Sequence, residues 1–270
     1  MKKYIIALLV ALLSLCSVQT LFAWGKEGHA AVAYIAEKNL TAKAKANLEK
    51  AIGNHSIVFY ASWLDYFRKC HKKWDKRAHV ATYDIETGLP VGKGINNMKE
   101  TISLLKNYKN LPDSVFKFNI YALIHQMGDF HCPGHVSFVN DKGETIKYSN
   151  YEIKFLTPDR IEKYHHFWDG VLLADIHGDW SYMDYEAALN HVPQSVKDEM
   201  LKGTLVDWLQ ENALGCRFVY EVVPGRKKAP KNELFLLERP LENELGEFAL
   251  KQLLKGGVRL AAVLNDIFGE

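Results

Sequence analysis

His125 and His165 are each followed four residues later by an aspartate, Asp129 in "HQMGD" and Asp169 in "HHFWD". On a helix that spacing sets both side chains on one face with β-carbons about 6 Å apart, close enough to hold one ion or two neighbouring ones. A single such pair on a wet surface is an ordinary ion pair of little consequence. Two pairs, each among apolar residues, favour metal ligation. Asp129 is followed six residues on by His135, past a Cys132-Pro133-Gly134 turn that ends a helix and folds the chain back. His131 falls on another side and is not read as a ligand. Upstream, Asp65 in "ASWLDYF" and His79 in "RAHVATYDI" extend a set of nitrogen and oxygen donors with hardly a thiolate in it. Imidazole with carboxylate suits zinc in a catalytic role, because structural zinc sites more often use cysteine.

Such donors need rigid elements to hold them, and most of the sequence scans as helix. Val32, Ile35, Ala36 and Leu40 share a face; Thr41 then caps a second helix in which Ala44, Leu48 and Ile52 align before Gly53 stops it. Leu253, Gly257, Leu260, Leu264 and Ile267 repeat the pattern near the end of the chain. Between them, "DSVFKFNIYALIHQMGD" places Phe118, Tyr121, Ala122, His125 and Asp129 on one face of a helix that Asp113 or Ser114 could cap. "ETIKYSNYEIKF" alternates apolar and polar residues around Ser149-Asn150, which suits a small hairpin. Asp159, with Glu162 three residues later, is expected to open the helix carrying "YHHFWDGVLL". The expected architecture is mainly α: one compact multi-helix domain with a small β-hairpin.

The opening residues 1–23 have the build of a secretory signal: Lys2 and Lys3, an apolar run from Ile5 to Leu15, and a small residue at Ala23. The run is too short to span a bilayer comfortably. Its removal takes away two lysines and no acids, so 34 Lys and Arg against 32 Asp and Glu become 32 against 32. A neutral chain disfavours a nucleic-acid-coating protein and leaves room for a local cationic site. Cys16 leaves with the signal, and the remaining Cys70, Cys132 and Cys216 spell no disulfide framework. The expected organisation is a signal peptide at 1–23 and one catalytic domain at 24–270.

The residues just quoted, together with "WGKEGH" from Trp24, "SWLD", "HQMGDFHCPGH", "HHFWD" and a closing "GGVRLAAVLN", resemble in order and spacing the S1/P1 nuclease family. These are zinc-dependent, single-strand-specific nucleases related in fold to the zinc phospholipases C. The resemblance implies three zinc ions: one held by Asp65, His79, His125 and Asp129, a second by His135, His165 and Asp169, and a third by Trp24, His29 and a shared Asp129. Trp24 would serve through its backbone, since an indole N–H offers no lone pair. A cut after Ala23 creates a free α-amino group that does. Gly25 and Gly28 would let the backbone approach the ion on its way to His29.

Three zincs suit phosphoester hydrolysis, because a bridging water can lose its proton near pH ~7 while the ions neutralise the phosphate. By resemblance Asp65 ligates and orients that water as positioner or base, and the ion at Trp24 and His29 steadies the leaving oxygen. The expected activity is cleavage of single-stranded DNA and RNA, with activity on nucleotide 3'-phosphates, by an exported monomer, periplasmic or secreted, without stable membrane association. A phospholipase C acting through the same metal core, and a non-catalytic protein using zinc only to fold, are the alternatives. Base recognition departs from the family: Val80, Ala81 and Thr82 follow His79 where an aromatic and an acid are found, Gly170 replaces an Asn, and the family's cysteine pairs are missing. Tyr83, Trp63 or Trp168 could stack a base, though a core role is the commoner one for each. The charged runs at 71–77 and 225–228 are commonly solvated loops.

Overall fold

The computed structural model describes residues 24–70, 81–84, 87–139, 145–146, 152–156, 159–215, 234–237 and 239–269. His79, Val80, Cys216, Ser149-Asn150, the signal segment and both charged runs lie outside them.

The order of elements is α1 (Lys26–Lys38), α2 (Ala42–Ile52), a 3-10 turn (Ile57–Tyr60), α3 (Trp63–Cys70), β1 (Ala81–Asp84), β2 (Leu89–Val91), α4 (Gly94–Leu105) and, after a second 3-10 turn (Tyr108–Asn110), α5 (Asp113–His131). A 3-10 turn (Pro133–His135) leads into β3 (Val136–Val139), then β4 (Thr145–Ile146), β5 (Glu152–Leu156) and β6 (Asp159–Lys163). A short helix α6 (Tyr164–His166) runs through a π-helical turn (Phe167–Val171) into α7 (Leu172–His177), followed by α8 (Tyr182–Leu189), α9 (Gln194–Leu201), α10 (Leu205–Gly215), β7 (Leu234–Leu237) and α11 (Arg239–Phe268). The protein is mainly α, as its periodicity requires.

Helix α11 is the spine, packing on α1, α2, α5, α7 and α9. Its stripe of Leu253, Leu260, Leu264 and Ile267 is buried, and Gly257 lets it lie close to α1: a Cβ there would stand 3.1 Å from the Val32 carbonyl oxygen. Helix α5, about 28 Å long, is buried all round from Asn119 to His131. A buried charged cluster ties its end to the spine. Arg259 donates from Nη1 to His131 Nε2 (3.1 Å), from Nη2 to Glu211 (2.5 Å) and from Nε to the Met200 carbonyl (2.9 Å). His131 Nδ1–H donates to the Met127 carbonyl at 2.9 Å, which leaves Nε2 as the acceptor. Burial and the neighbouring guanidinium push the His131 pKa down to about 3, so the ring is neutral and structural.

Thr41 caps α2 by accepting from the Ala44 N–H at 3.2 Å, and Gly53 ends that helix at φ 90°, both as read from sequence. Three expectations are corrected. Neither Asp113 nor Ser114 caps α5, which begins after Pro112 with Asp113 already in its first turn, paired with Lys117 at 2.9 Å. The strands flanking Ser149-Asn150 do not pair with each other: β4 pairs with β3 in a sheet ordered β2-β1-β3-β4, and β5 joins a second sheet ordered β6-β5-β7. The antiparallel hairpin lies one strand later, β5 with β6, in register Glu152 to Lys163. Asp159 therefore opens a strand, not a helix. Its five residues alternate exposed and half-buried, and pairing with the adjacent strand β5 outweighs the capping pattern.

Candidate metal centre

Four elements converge on one point. His29 comes from α1, Asp65 from α3, His125 and Asp129 from α5, and His135 from the turn that follows α5. The rings of His29 and His125 stack with centroids 4.1 Å apart, and both are buried. Asp129 stands between them: Oδ1 is 3.4 Å from His29 Nε2 and 3.6 Å from His135 Nδ1, and Oδ2 is 3.3 Å from His125 Nε2. Asp65 Oδ1 lies 3.6 Å from the same His125 nitrogen. The Ala61 carbonyl accepts from His125 Nδ1 at 2.8 Å, which fixes the tautomer and turns the Nε2 lone pair towards the two carboxylates.

A second cluster adjoins the first. His135 Nε2 is 3.9 Å from Asp169 Oδ1, and His165 Nε2 is 3.4 Å from Asp169 Oδ2. The His165 and Asp169 pair straddles the π-helical turn, a widened coil that occurs often at functional sites. Trp24 completes the neighbourhood. It is fully buried, its backbone N–H faces the Asp169 carboxylate, and its carbonyl accepts from the His29 N–H at 3.4 Å. The Gly25 N–H donates to the Asp169 backbone carbonyl, and a Cβ on Gly25 would stand 2.7 Å from that oxygen. So of the residues read as ligands, Trp24, His29, Asp65, His125, Asp129, His135, His165 and Asp169 are brought together, while His79 lies outside the described residues.

The electrostatics ask for a cation. Burial, and then the nearby charges of Asp129 and Asp65, push the Asp169 carboxyl well above the usual carboxylate range. Burial also works against the charge on Asp129, but His125 and His135 outweigh it and hold that carboxyl well below. Burial, with His125 beside it, lowers His29; burial lowers His165. Neutral imidazoles and crowded carboxylates are the ligand forms of these groups. His29 is 1 % exposed, yet neither ring nitrogen makes a hydrogen bond, and no side-chain donor bonds to either oxygen of Asp169. His29, His125 and Asp129 offer ligand atoms within 4.8 Å of one another, as do Cys132, His135 and Asp169. The residues present therefore fit zinc.

Three features escaped the sequence reading. Gly128 faces His29 across the helix contact, where a Cβ would stand 2.5 Å from Nδ1. Gly128→Ala is therefore expected to displace the His29 ring and weaken metal binding by roughly 10- to 100-fold; chelator competition reads it, and unchanged affinity would contradict the placement of His29. Its signal was a glycine inside a strong helix, where close approach is the usual reason. Cys132 is also inside the second cluster. Finally, a cleft of about 940 Å³ opens beside Asp169 and Gly25, edged by Phe59, Trp63, Tyr66, Arg160 and His166. Phe59 is 75 % exposed and Tyr66 62 % exposed. Of the three aromatics considered earlier, Tyr83 and Trp168 are core and only Trp63 borders this cleft.

Buried imidazoles and carboxylates, with Asp169 among them lining an open cleft, have the donor chemistry of a catalytic metal centre. The chain belongs to the S1/P1 nuclease family, whose match runs over residues 24–269. It is similar to Endonuclease 5 of Arabidopsis thaliana, 25 % identical with 91 % of this chain and 90 % of that one covered, and to Endonuclease 2 of the same plant, 25 % identical over 98 % of each. It is similar also to Nuclease P1 of Penicillium citrinum, 23 % identical over 92 % of this chain and 98 % of that one. The protein is thus a nuclease, an enzyme that hydrolyses phosphodiester bonds in nucleic acid, of a family that in general depends on zinc. Among the described residues no helix is long and apolar enough to cross a membrane.

Proposed function

We propose that this chain is an exported endonuclease that cleaves single-stranded DNA and RNA, and also acts on nucleotide 3'-phosphates, through three zinc ions. Residues 1–23 are its signal peptide and 24–270 its one catalytic domain, active as a monomer in the periplasm or outside the cell. The observation that carries the reading is the position of Asp129, within 3.6 Å of His29, His125 and His135, each on a different element, next to a second cluster whose Asp169 lines an open cleft.

The ligand sets are Asp65, His79, His125 and Asp129; His135, His165 and Asp169; and Trp24, His29 and Asp129. Zinc in those positions supplies positive charge against a phosphate and makes water acidic. Asp65, 15 % exposed at its side chain and 3.6 Å from His125 Nε2, would orient the attacking water and accept its proton. The Gly25 backbone keeps the floor of the cleft low enough for a phosphate to reach Asp169 and its neighbours. Trp24 has φ 31°, a region that costs a bulky residue ~1–2 kcal/mol. A first residue has no φ, so processing at Ala23 removes that strain as it frees the amine.

Single-strand preference rests on the exposed rings of Phe59 and Tyr66. A base can lie flat on such a ring only when it has left its own stack. Arg160 on the facing wall is paired with Asp175, and His166 Nδ1–H donates to the Glu162 carboxylate at 2.7 Å, so that wall gives polar edges more than net charge. Phe59→Ala is expected to lower kcat/KM on a single-stranded oligonucleotide by roughly 5- to 150-fold, the worth of one base stack at ~1–3 kcal/mol. Equal cleavage of duplex and single strand by the unaltered enzyme, or an unchanged Phe59→Ala variant, would sink the single-strand reading.

A further inference from the structure

The geometry points to Cys132 as a sulfur ligand in the second cluster, giving one ion of the centre a Cys132, His135, His165 and Asp169 set. The inference rests on the zinc reading above and adds to it a donor that the nitrogen-and-oxygen pattern left out. Cys132 is fully buried and carries a free thiol, and its sulfur, a nitrogen of His135 and an oxygen of Asp169 all lie within 4.8 Å of one another. Zinc bonds of ~2.0–2.3 Å set tetrahedral ligand atoms roughly 3.3–3.8 Å apart, so the trio needs a contraction of no more than about 1.5 Å.

Three further observations aim at the same point. Asp169 is 4 % exposed, and apart from the Trp24 backbone N–H that faces its carboxylate no donor bonds to its oxygens, an arrangement that a cation would relieve. His165 Nε2 lies 3.4 Å from Asp169 Oδ2. Gly134 leaves the space between them open: a Cβ on it would stand 3.4 Å from His165 Nδ1 and 3.6 Å from Cys132 Sγ. The Cys132-Pro133-Gly134 turn thus sets the sulfur and the His165 ring on either side of Gly134, with Asp169 within reach of both.

The consequence is mechanical: an ion held by these four residues anchors the π-helical turn to the end of α5. Sulfur also tilts the site towards zinc and away from manganese, which prefers oxygen.

Cobalt(II) titrated into the chelator-stripped protein tests this. The expected spectrum has d–d absorption together with a near-ultraviolet sulfur-to-cobalt charge-transfer band. That band persists when Cys70 and Cys216 are both changed to serine and disappears in Cys132→Ser, which keeps the d–d absorption. Absence of the band from the unaltered protein, or its survival in Cys132→Ser, overturns the sulfur ligand and leaves the zinc reading standing. A protein that binds no cobalt at all overturns both. Zinc K-edge absorption on the unsubstituted protein is independent of how any variant folds. A sulfur shell at about 2.3 Å is expected, and a shell of nitrogen and oxygen alone at about 2.0–2.1 Å overturns the inference.

Discussion

Asp129→Ala lowers kcat/KM on a polynucleotide by at least about 1000-fold, equivalent to about 4 kcal/mol of transition-state stabilisation, and leaves the protein with fewer bound ions. The reason is positional. Its two oxygens are the only carboxylate atoms that lie within 3.6 Å of three imidazoles among the described residues. In the proposed arrangement two ions share it, so one substitution removes a ligand from each. The stacked rings of His29 and His125 would then face each other without the charge that holds both. Steady-state kinetics with metal counted by elemental analysis checks the outcome. Activity within tenfold of the parent, with three ions retained, would show that Asp129 is not the shared ligand.

A chain carrying one extra residue before Trp24 is expected to be at least about 100-fold less active than one that begins there, and to bind one ion fewer. An amide nitrogen has no lone pair to give, and the loss of a single positioned donor in an active site commonly costs that much. The companion variant is Trp24→Ala in the processed chain. It retains the amino group and hence the ion, but loses a fully buried indole worth ~3–5 kcal/mol of stability. The two variants separate a chemical role of the nitrogen from a packing role of the ring. Equal activity of the extended and processed chains would remove Trp24 from the metal centre.

Much of this centre is legible in one dimension because its ligands come in local patterns. The His125 and Asp129 pair and the His165 and Asp169 pair depend only on helical period, and the Thr41 cap and Gly53 stop depend only on local backbone chemistry. What was lost depended on which strands and turns meet. Asp159 with Glu162 reads as a capping pattern, but pairing of β6 with the adjacent β5 takes those residues into a strand. The residues around Thr145 and Glu152 do form strands, yet their partners are β3 in one sheet and β6 and β7 in the other. Cys132 looked like part of a turn. Only the meeting of that turn with the π-helical turn brings its sulfur to Asp169. Phe59 on its 3-10 turn and Tyr66 on α3 were likewise invisible as a platform, since an aromatic residue in sequence gives no sign that its ring faces out.

The most direct test of the central claim is hydrolysis of a single-stranded polynucleotide by protein processed to Trp24, before chelation, after it, and with zinc returned. A duplex and phosphatidylcholine are assayed in parallel. The account predicts cleavage of the single strand that vanishes with the chelator and returns as zinc approaches three ions per chain, with slow cleavage of the duplex and none of the lipid. Cleavage that persists in the fully stripped protein, or hydrolysis confined to the lipid, would contradict it.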